Sequence, residues 1–327
     1  MLCASLLALD TAAHAQVAET VGSRALGMGG AFVAVASDSS ATWWNPAGLA
    51  AGPFVDLALG RSVTETVGEL PASRSTGRWF ALGTPPFGVS YYALNITDIQ
   101  PLTPTVTESG SREDRRAGLQ SASASQFGIT LVQTLIAGVH AGATLKYVRA
   151  TVRGSEREGD FSSGALLDLG EDLEDGDADG AFDADLGLLA VAGALRLGLL
   201  VRNVRETEFE QEGGVARLPR QVRLGVAYDR AGAGGMPLTV AVDADVRTLE
   251  TASGERRNVA LGVERWLMDG RVGVRGGARF NTVGRKERTA TGGLSVAVRS
   301  GLFLDAHVVR GGDDDERGWG IATRVSF

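Results

Sequence analysis

From about residue 54 onward the chain alternates apolar and polar residues with a period of two. In Gln221 to Asp229, Val222, Leu224, Val226 and Tyr228 share one face, and Arg223, Gly225, Ala227 and Asp229 share the other. The run from Leu238 to Arg247 sets Leu238, Val240, Val242, Ala244 and Val246 against Thr239, Ala241, Asp243, Asp245 and Arg247. In Arg271 to Phe280, Val272, Val274, Gly276, Ala278 and Phe280 oppose Arg271, Gly273, Arg275, Gly277 and Arg279. Such alternation marks strands with one apolar and one polar face. It predicts strands near 54–62, 77–83, 87–97, 124–135, 138–152, 182–191, 193–203, 219–229, 237–247, 256–267, 271–281, 289–299, 301–311 and 317–327, fourteen in all. Many are joined by a few residues containing Gly, Asp or Asn, as at Met268-Asp269-Gly270 and Ser300-Gly301, which predicts hairpin after hairpin.

Two architectures use this pattern. In a soluble sandwich the polar face meets bulk water; in a closed outer-membrane barrel it faces a lumen, and the apolar face meets lipid. Segments of about ten residues match the 9–11 needed for a tilted strand to cross the hydrocarbon. Short and long connections tend to alternate, and the chain ends on a strand, Trp319 to Phe327, with an aromatic last residue. That ending is similar to the signal read by the barrel-insertion machinery of the outer membrane, a first expected partner beside outer-membrane lipid. An open sheet edge in lipid would leave backbone groups unpaired, so closure is expected as well. The fold expectation is therefore all-β: a closed antiparallel transmembrane β-barrel of about 14 strands. The polar connections at 98–123, with Ser111-Arg112-Glu113-Asp114-Arg115-Arg116, and at 153–181 are expected to project as long loops from the outer face.

Composition narrows the function classes. Gly supplies 45 of 327 residues, roughly twice the usual share, which suits curved strands and close packing inside a lumen. A net charge of -7 gives no global basic field for nucleic acid. The longest uncharged, mostly apolar run, Ala25 to Ala36, falls short of the roughly 20 residues that a membrane helix needs. At the start, Leu2 to Leu9 and the small-x-small triplet Ala13-His14-Ala15 read as a signal peptide over 1–15, with processing before Gln16. Cleavage there removes Cys3, the single cysteine, and with it thiol and disulfide chemistry.

The block at 16–53 precedes the strands and is too apolar to lie loose in water. It holds Gly22-Ser23-Arg24-Ala25-Leu26-Gly27-Met28-Gly29-Gly30-Ala31-Phe32, then Ser37-Asp38-Ser39-Ser40 and Ala41-Thr42-Trp43-Trp44-Asn45-Pro46-Ala47-Gly48-Leu49. Asp38 or Ser39 caps a short helix that must end near Trp44 or Asn45, because Pro46 disfavours helical geometry in its predecessor. No βαβ unit or Walker lysine surrounds Gly27-Met28-Gly29-Gly30, which excludes a nucleotide loop. In order and spacing these two runs resemble the FadL-like superfamily of outer-membrane barrels, most closely its PorV/PorQ branch. The resemblance continues through Asp185-Leu186-Gly187-Leu188, Leu197-Gly198-Leu199 with Asn203, Leu218 to Gly225, Asp243, Leu261-Gly262-Val263-Glu264 and Arg275-Gly276-Gly277. It implies a barrel over 54–327 in a Gram-negative-type outer membrane, with 16–53 folded inward as a plug, or hatch, that carries Gly27, Gly29, Gly30, Trp44, Asn45, Pro46, Ala47 and Gly48. PorV-like members are accessories of protein secretion, with secretion components and cargo as partners. FadL-like transporters instead pass a hydrophobic small molecule, which can leave sideways through the wall. The export accessory is the first expectation and the uptake channel the second.

Other chemistry is sparse. Arg223, Asp243, Asp245, Glu264, Arg275 and Arg279 lie on polar strand faces and are expected to pair across the lumen and tie plug to wall. Asp175, Asp177 and Asp179, spaced at alternate positions before Gly180, fit the first half of a Ca²⁺ loop, but Leu186 stands where the bidentate Glu belongs. Neither His140 nor His307 lies in a recognisable hydrolase motif. The expectation is a non-enzyme with no cofactor.

Overall fold

The computed structural model describes residues 20–66, 72–102, 116–158, 161–171, 178–211, 214–230, 237–251, 254–312 and 316–327. Fourteen strands form the wall: β1 (Asp56–Thr66), β2 (Ala72–Thr84), β3 (Phe87–Leu102), β4 (Arg116–Ile136), β5 (Val139–Glu158), β6 (Asp179–Ala192), β7 (Leu195–Arg202), β8 (Gln221–Arg230), β9 (Leu238–Asp245), β10 (Asn258–Leu267), β11 (Val272–Asn281), β12 (Arg288–Arg299), β13 (Leu302–Gly311) and β14 (Glu316–Ser326). Each pairs antiparallel with the next, and β14 closes the ring on β1 in a register running from Asp56 opposite Ser326 to Thr66 opposite Glu316. Closure leaves no sheet edge unpaired in the wall.

One end of the barrel carries the tight turns Pro85-Pro86, Ala137-Gly138, Gly193-Ala194, Met268 to Arg271 and Ser300-Gly301, together with the junction of Val55 and Phe327. This is the turn end. The longer connections gather at the other, distal end, where the segments between β7 and β8 and between β9 and β10 each form a small hairpin (Glu208–Gln211 with Gly214–Arg217; Leu249–Thr251 with Gly254–Arg256).

The alternation is inverted relative to a soluble protein. Leu224, Val226 and Tyr228 are each about half exposed on the outside, whereas Arg223 is 6%, Asp243 1% and Glu264 1% exposed on the inside. Five strands outrun the sequence expectation, among them β1, which continues to Thr66, and β2, which begins at Ala72. β3 continues to Leu102, β4 begins at Arg116 and β5 reaches Glu158, so 98–102, 116–123 and 153–158 are wall rather than loop. The early stop in the reading has a physical cause: beyond the apolar band the outward face need not be apolar, and Ser121, Ser123 and Ser125 break the pattern there. The second connection also contains a helix, α3 (Ser163–Glu171), numbered after two short helices of the N-terminal segment. Residues 1–15 and 111–115 lie outside the described residues.

That N-terminal segment, residues 20–52, occupies the middle of the ring. It contains α1 (Ser23–Gly27), α2 (Ala41–Trp44) and a 3-10 turn (Pro46–Ala51). α2 ends at Trp44, and Asn45 is extended ahead of Pro46. Most of the large apolar side chains of this core come from the segment, including Met28, Phe32, Trp43 and Trp44, with Trp79 and Tyr92 added by the wall. The wall meets them with Ala58, Ala81, Ala227, Ala241, Ala260 and Ala322. Small inward residues are thus what leaves room for a second layer of chain inside a closed sheet.

Candidate functional site

The segment is seated by close backbone approach. Gly29 and Gly30 both take positive φ (69° and 84°), a conformation that Gly adopts at no steric cost. A Cβ on Gly29 would stand 2.8 Å from the backbone nitrogen of Ala278 in β11. The Gly27 carbonyl accepts from Thr291 Oγ1 at 3.0 Å. Further round the ring, Gly198 of β7 and Gly262 of β10 would each place a Cβ 2.6 Å from a segment carbonyl, of Val33 and Met28 respectively.

The Trp-Asn-Pro-Ala-Gly run acts as a bracket between segment and wall. Trp44 Nε1 donates to the Val21 carbonyl at 2.9 Å, tying α2 back to the start of the segment. Asn45 Nδ2 donates to the carbonyls of Val33 (2.8 Å) and Leu188 of β6 (3.0 Å), while its Oδ1 accepts from Ala47 N. Pro46 and Ala47 lie against Gly187 and Gly142, and Gly48 lies against the backbone of Ala36; a side chain at any of the three glycines would collide.

Charged groups complete the attachment. Asp243 Oδ2 accepts from both Phe32 N and Val33 N at 2.7 Å, so one wall carboxylate caps a turn of the segment. Glu264 receives Arg24 of α1 in a two-pronged contact (2.7 and 2.9 Å) and also Arg275 of β11. From there Arg275 donates to Ser295 Oγ at 2.6 Å, Ser295 to Asp305, and Arg324 reaches both Asp305 (3.3 Å) and Asp56 (3.4 Å). Asp56 accepts from Ser39 N at 2.8 Å, and Arg24 contacts Asp38 at 3.4 Å, which closes the circuit. Of the six wall residues expected to bear charge, Asp243 and Glu264 touch the segment directly, and Arg275 acts through Glu264. Arg223 pairs with Asp245 (2.7 Å) beneath the Trp44 ring, and Arg279 pairs with Glu316 at 3.3 Å, strand to strand. Arg24, Asp56, Asp305 and Arg324 were not singled out from the sequence, and Asp38 only as a helix cap, a place that Ser40 takes; Asp305 and Arg324 both stand on inward strand positions.

On the distal side of Trp43 lies a cavity of about 650 Å³, its open mouth included. Leu94, Ile96, Val148, Ala150, Phe209 and Leu218 make its wall apolar, and Trp43 belongs to its lining. Phe209 comes from the hairpin between β7 and β8 and is buried against Val148, Ala150 and Val152. Trp43 is fixed by Tyr92, edge-on at 4.9 Å, and by Arg202, whose guanidinium lies 4.2 Å above the indole and donates to the Trp43 carbonyl at 2.6 Å. Beside it Lys146 is held between Asp185 and Asn203 at 2.6 Å each. Periodicity alone does not reveal this cavity, because its lining is drawn from distant stretches of chain.

Asp175 and Asp177 lie outside the described residues. Asp179 opens β6, and its carboxylate accepts from Gly180 N. His140 Nδ1 bonds Thr134 at 2.9 Å, and neither ring nitrogen of His307 has a hydrogen-bond partner among the described residues.

The fold is thus a closed fourteen-stranded antiparallel barrel, apolar outside, with an inner segment and an apolar cavity on that segment's distal side. Solved structures agree. The chain is similar to the toluene transporter TbuX of Ralstonia pickettii, with 13% identity over 94% of this chain and 99% of that one and a TM-score of 0.62. It is also similar to the CymD monoaromatic hydrocarbon channel (13% identity, 94% and 97% covered, TM-score 0.61) and to the toluene transporter TodX of Pseudomonas putida (12%, 97% and 99%, TM-score 0.58). A family model described as F plasmid transfer operon, TraF, protein matches residues 87–245, a little under half of the chain. No curated protein matches it in sequence.

Proposed function

We propose that the protein is a non-enzymatic channel of a Gram-negative-type outer membrane that admits small apolar molecules, with the N-terminal segment as its plug. The observation that carries this reading is the apolar cavity next to Trp43, directly against the segment that fills the lumen. The similarity in fold to toluene and monoaromatic hydrocarbon channels supports the same choice. The outward band of Leu, Val and aromatic side chains supports placement in lipid. The export-accessory reading rests on the PorV-like sequence resemblance alone, and the fold comparisons favour uptake over it.

Toluene serves as the probe. Ala150→Trp fills the cavity from β5, and is expected to weaken toluene binding about tenfold or more while the barrel still folds. Unchanged binding in a folded variant would rule out the cavity as the ligand site. Recovery of secreted cargo with the protein from membranes, with no toluene binding, would restore the export reading.

A further inference from the structure

The outer wall of β1–β5 carries a charged band that the channel reading does not use. An aromatic row crosses it: Phe80 stands opposite Tyr91, Tyr91 opposite Phe127, Phe127 opposite Tyr147 and Tyr147 opposite Phe182, all five exposed. Aromatic rows of this kind mark the boundary between hydrocarbon and headgroups. The next outward row, two residues further toward the distal end, reads Arg61, Arg78, Ala93, Ser125 and Arg149 in unbroken cross-strand register. Its arginines are all exposed.

Nothing in the described protein neutralises them. Arg74, four residues from Arg78 on the same face, is paired with Glu65, Asp168 and Glu171, and Arg317 with Glu65. The side chains of Arg61, Arg78 and Arg149 form no ion pair or hydrogen bond with any described residue. Arg61 and Arg78 are moreover direct cross-strand partners, and like charges so placed repel. Between this pair and Arg149 the wall is floored by small residues, Ala93 and Ser125. Three strand spacings separate Arg78 from Arg149, roughly 14 Å. Helix α3 bounds the strip distally, where Gly170 lies against Thr97.

We propose that this strip is a docking site for an outer-leaflet lipid whose headgroup carries two phosphates, one held by Arg61 and Arg78 and the other by Arg149. Guanidinium groups bind phosphate in a charge-assisted, two-pronged manner. The strip stands at headgroup height, and the aromatic row below it receives the acyl chains. Ala93 and Ser125 leave room for the sugar or glycerol part between the two cationic poles. The proposal rests on the outer-membrane reading and adds to it a defined lipid contact on one side of the wall.

The test uses the full chain in an uncharged detergent and native mass spectrometry. The probes are a multiply acylated disaccharide lipid with two phosphates and the same lipid after enzymatic dephosphorylation. The wild type is expected to retain the phosphorylated lipid about tenfold or more over its dephosphorylated form, with the preference falling as salt rises. The triple variant Arg61→Gln, Arg78→Gln, Arg149→Gln is expected to lose that preference, whereas Arg271→Gln, at the turn end, keeps it. If the triple variant does not fold, the wild-type phosphate preference and its salt dependence decide alone. Equal retention of both lipids by the wild type, or full retention by a folded triple variant, would overturn the site and leave the channel reading standing. A chain that stays folded and monomeric without detergent would overturn the membrane reading itself.

Discussion

Glu264 sits between two guanidinium groups, Arg24 from the inner segment and Arg275 from the wall, and is 1% exposed. Removing one member of such a buried set leaves uncompensated charge, which costs about 3–5 kcal/mol. Glu264→Gln is therefore expected to loosen α1 from the wall, read as faster proteolysis within 20–52 and as a higher single-channel conductance in planar bilayers. A steric test needs no charge. Gly198→Val drives a side chain into the carbonyl of Val33, 2.6 Å from where its Cβ would stand, and the same two readouts should rise. If both variants stay as closed as the wild type, the segment is not held by these contacts.

Elements at the distal end differ from those in the band. Ala72, Ile99 and Leu119 are cross-strand neighbours in phase with the outward Phe80, Tyr91 and Phe127, so α3 packs against the outside of the extended wall. Leu166 and Leu167 bury there, and Arg74 ties Asp168 and Glu171 down. Leu167→Asp places an unpaired charge in that contact and is expected to speed amide exchange across 163–171 about tenfold or more without changing the barrel strands. The helix was not legible because 153–181 reads as a polar acidic stretch. Its two buried leucines gain meaning only from Ile99 and Leu119, more than forty residues earlier. The hairpin with Phe209 is a second case: four-residue strands carry too little periodicity to read, yet they supply one side of the cavity. Phe209→Ala is expected to widen the cavity and shift binding toward larger apolar probes, measured against toluene in the same titration.

For the whole molecule, the inner segment and the wall each complete the other. A chain lacking residues 20–52 retains every β1–β14 pairing but loses the apolar filling around Phe32 and Trp44. It is expected to form open pores with steady conductance where the full chain stays mostly closed. Strand number, closure and the inward and outward faces were legible because the wall follows one rule along the band: apolar outward at every second residue. Distal to the band that rule lapses, and with it the reading of β3–β5 and α3. The charge circuit was half legible. Arg275 and Glu264 could be placed on polar faces from alternation, but Arg24, the partner of Glu264, and Asp38, which Arg24 also contacts, lie in a segment without period, and only folding that segment into the ring brings them within reach. Sequence alone thus determined the architecture, because period and turn chemistry are local properties of the chain. The tertiary structure alone decided the cavity, the circuit and the arginine strip, because each is assembled from residues that only strand register and closure make neighbours.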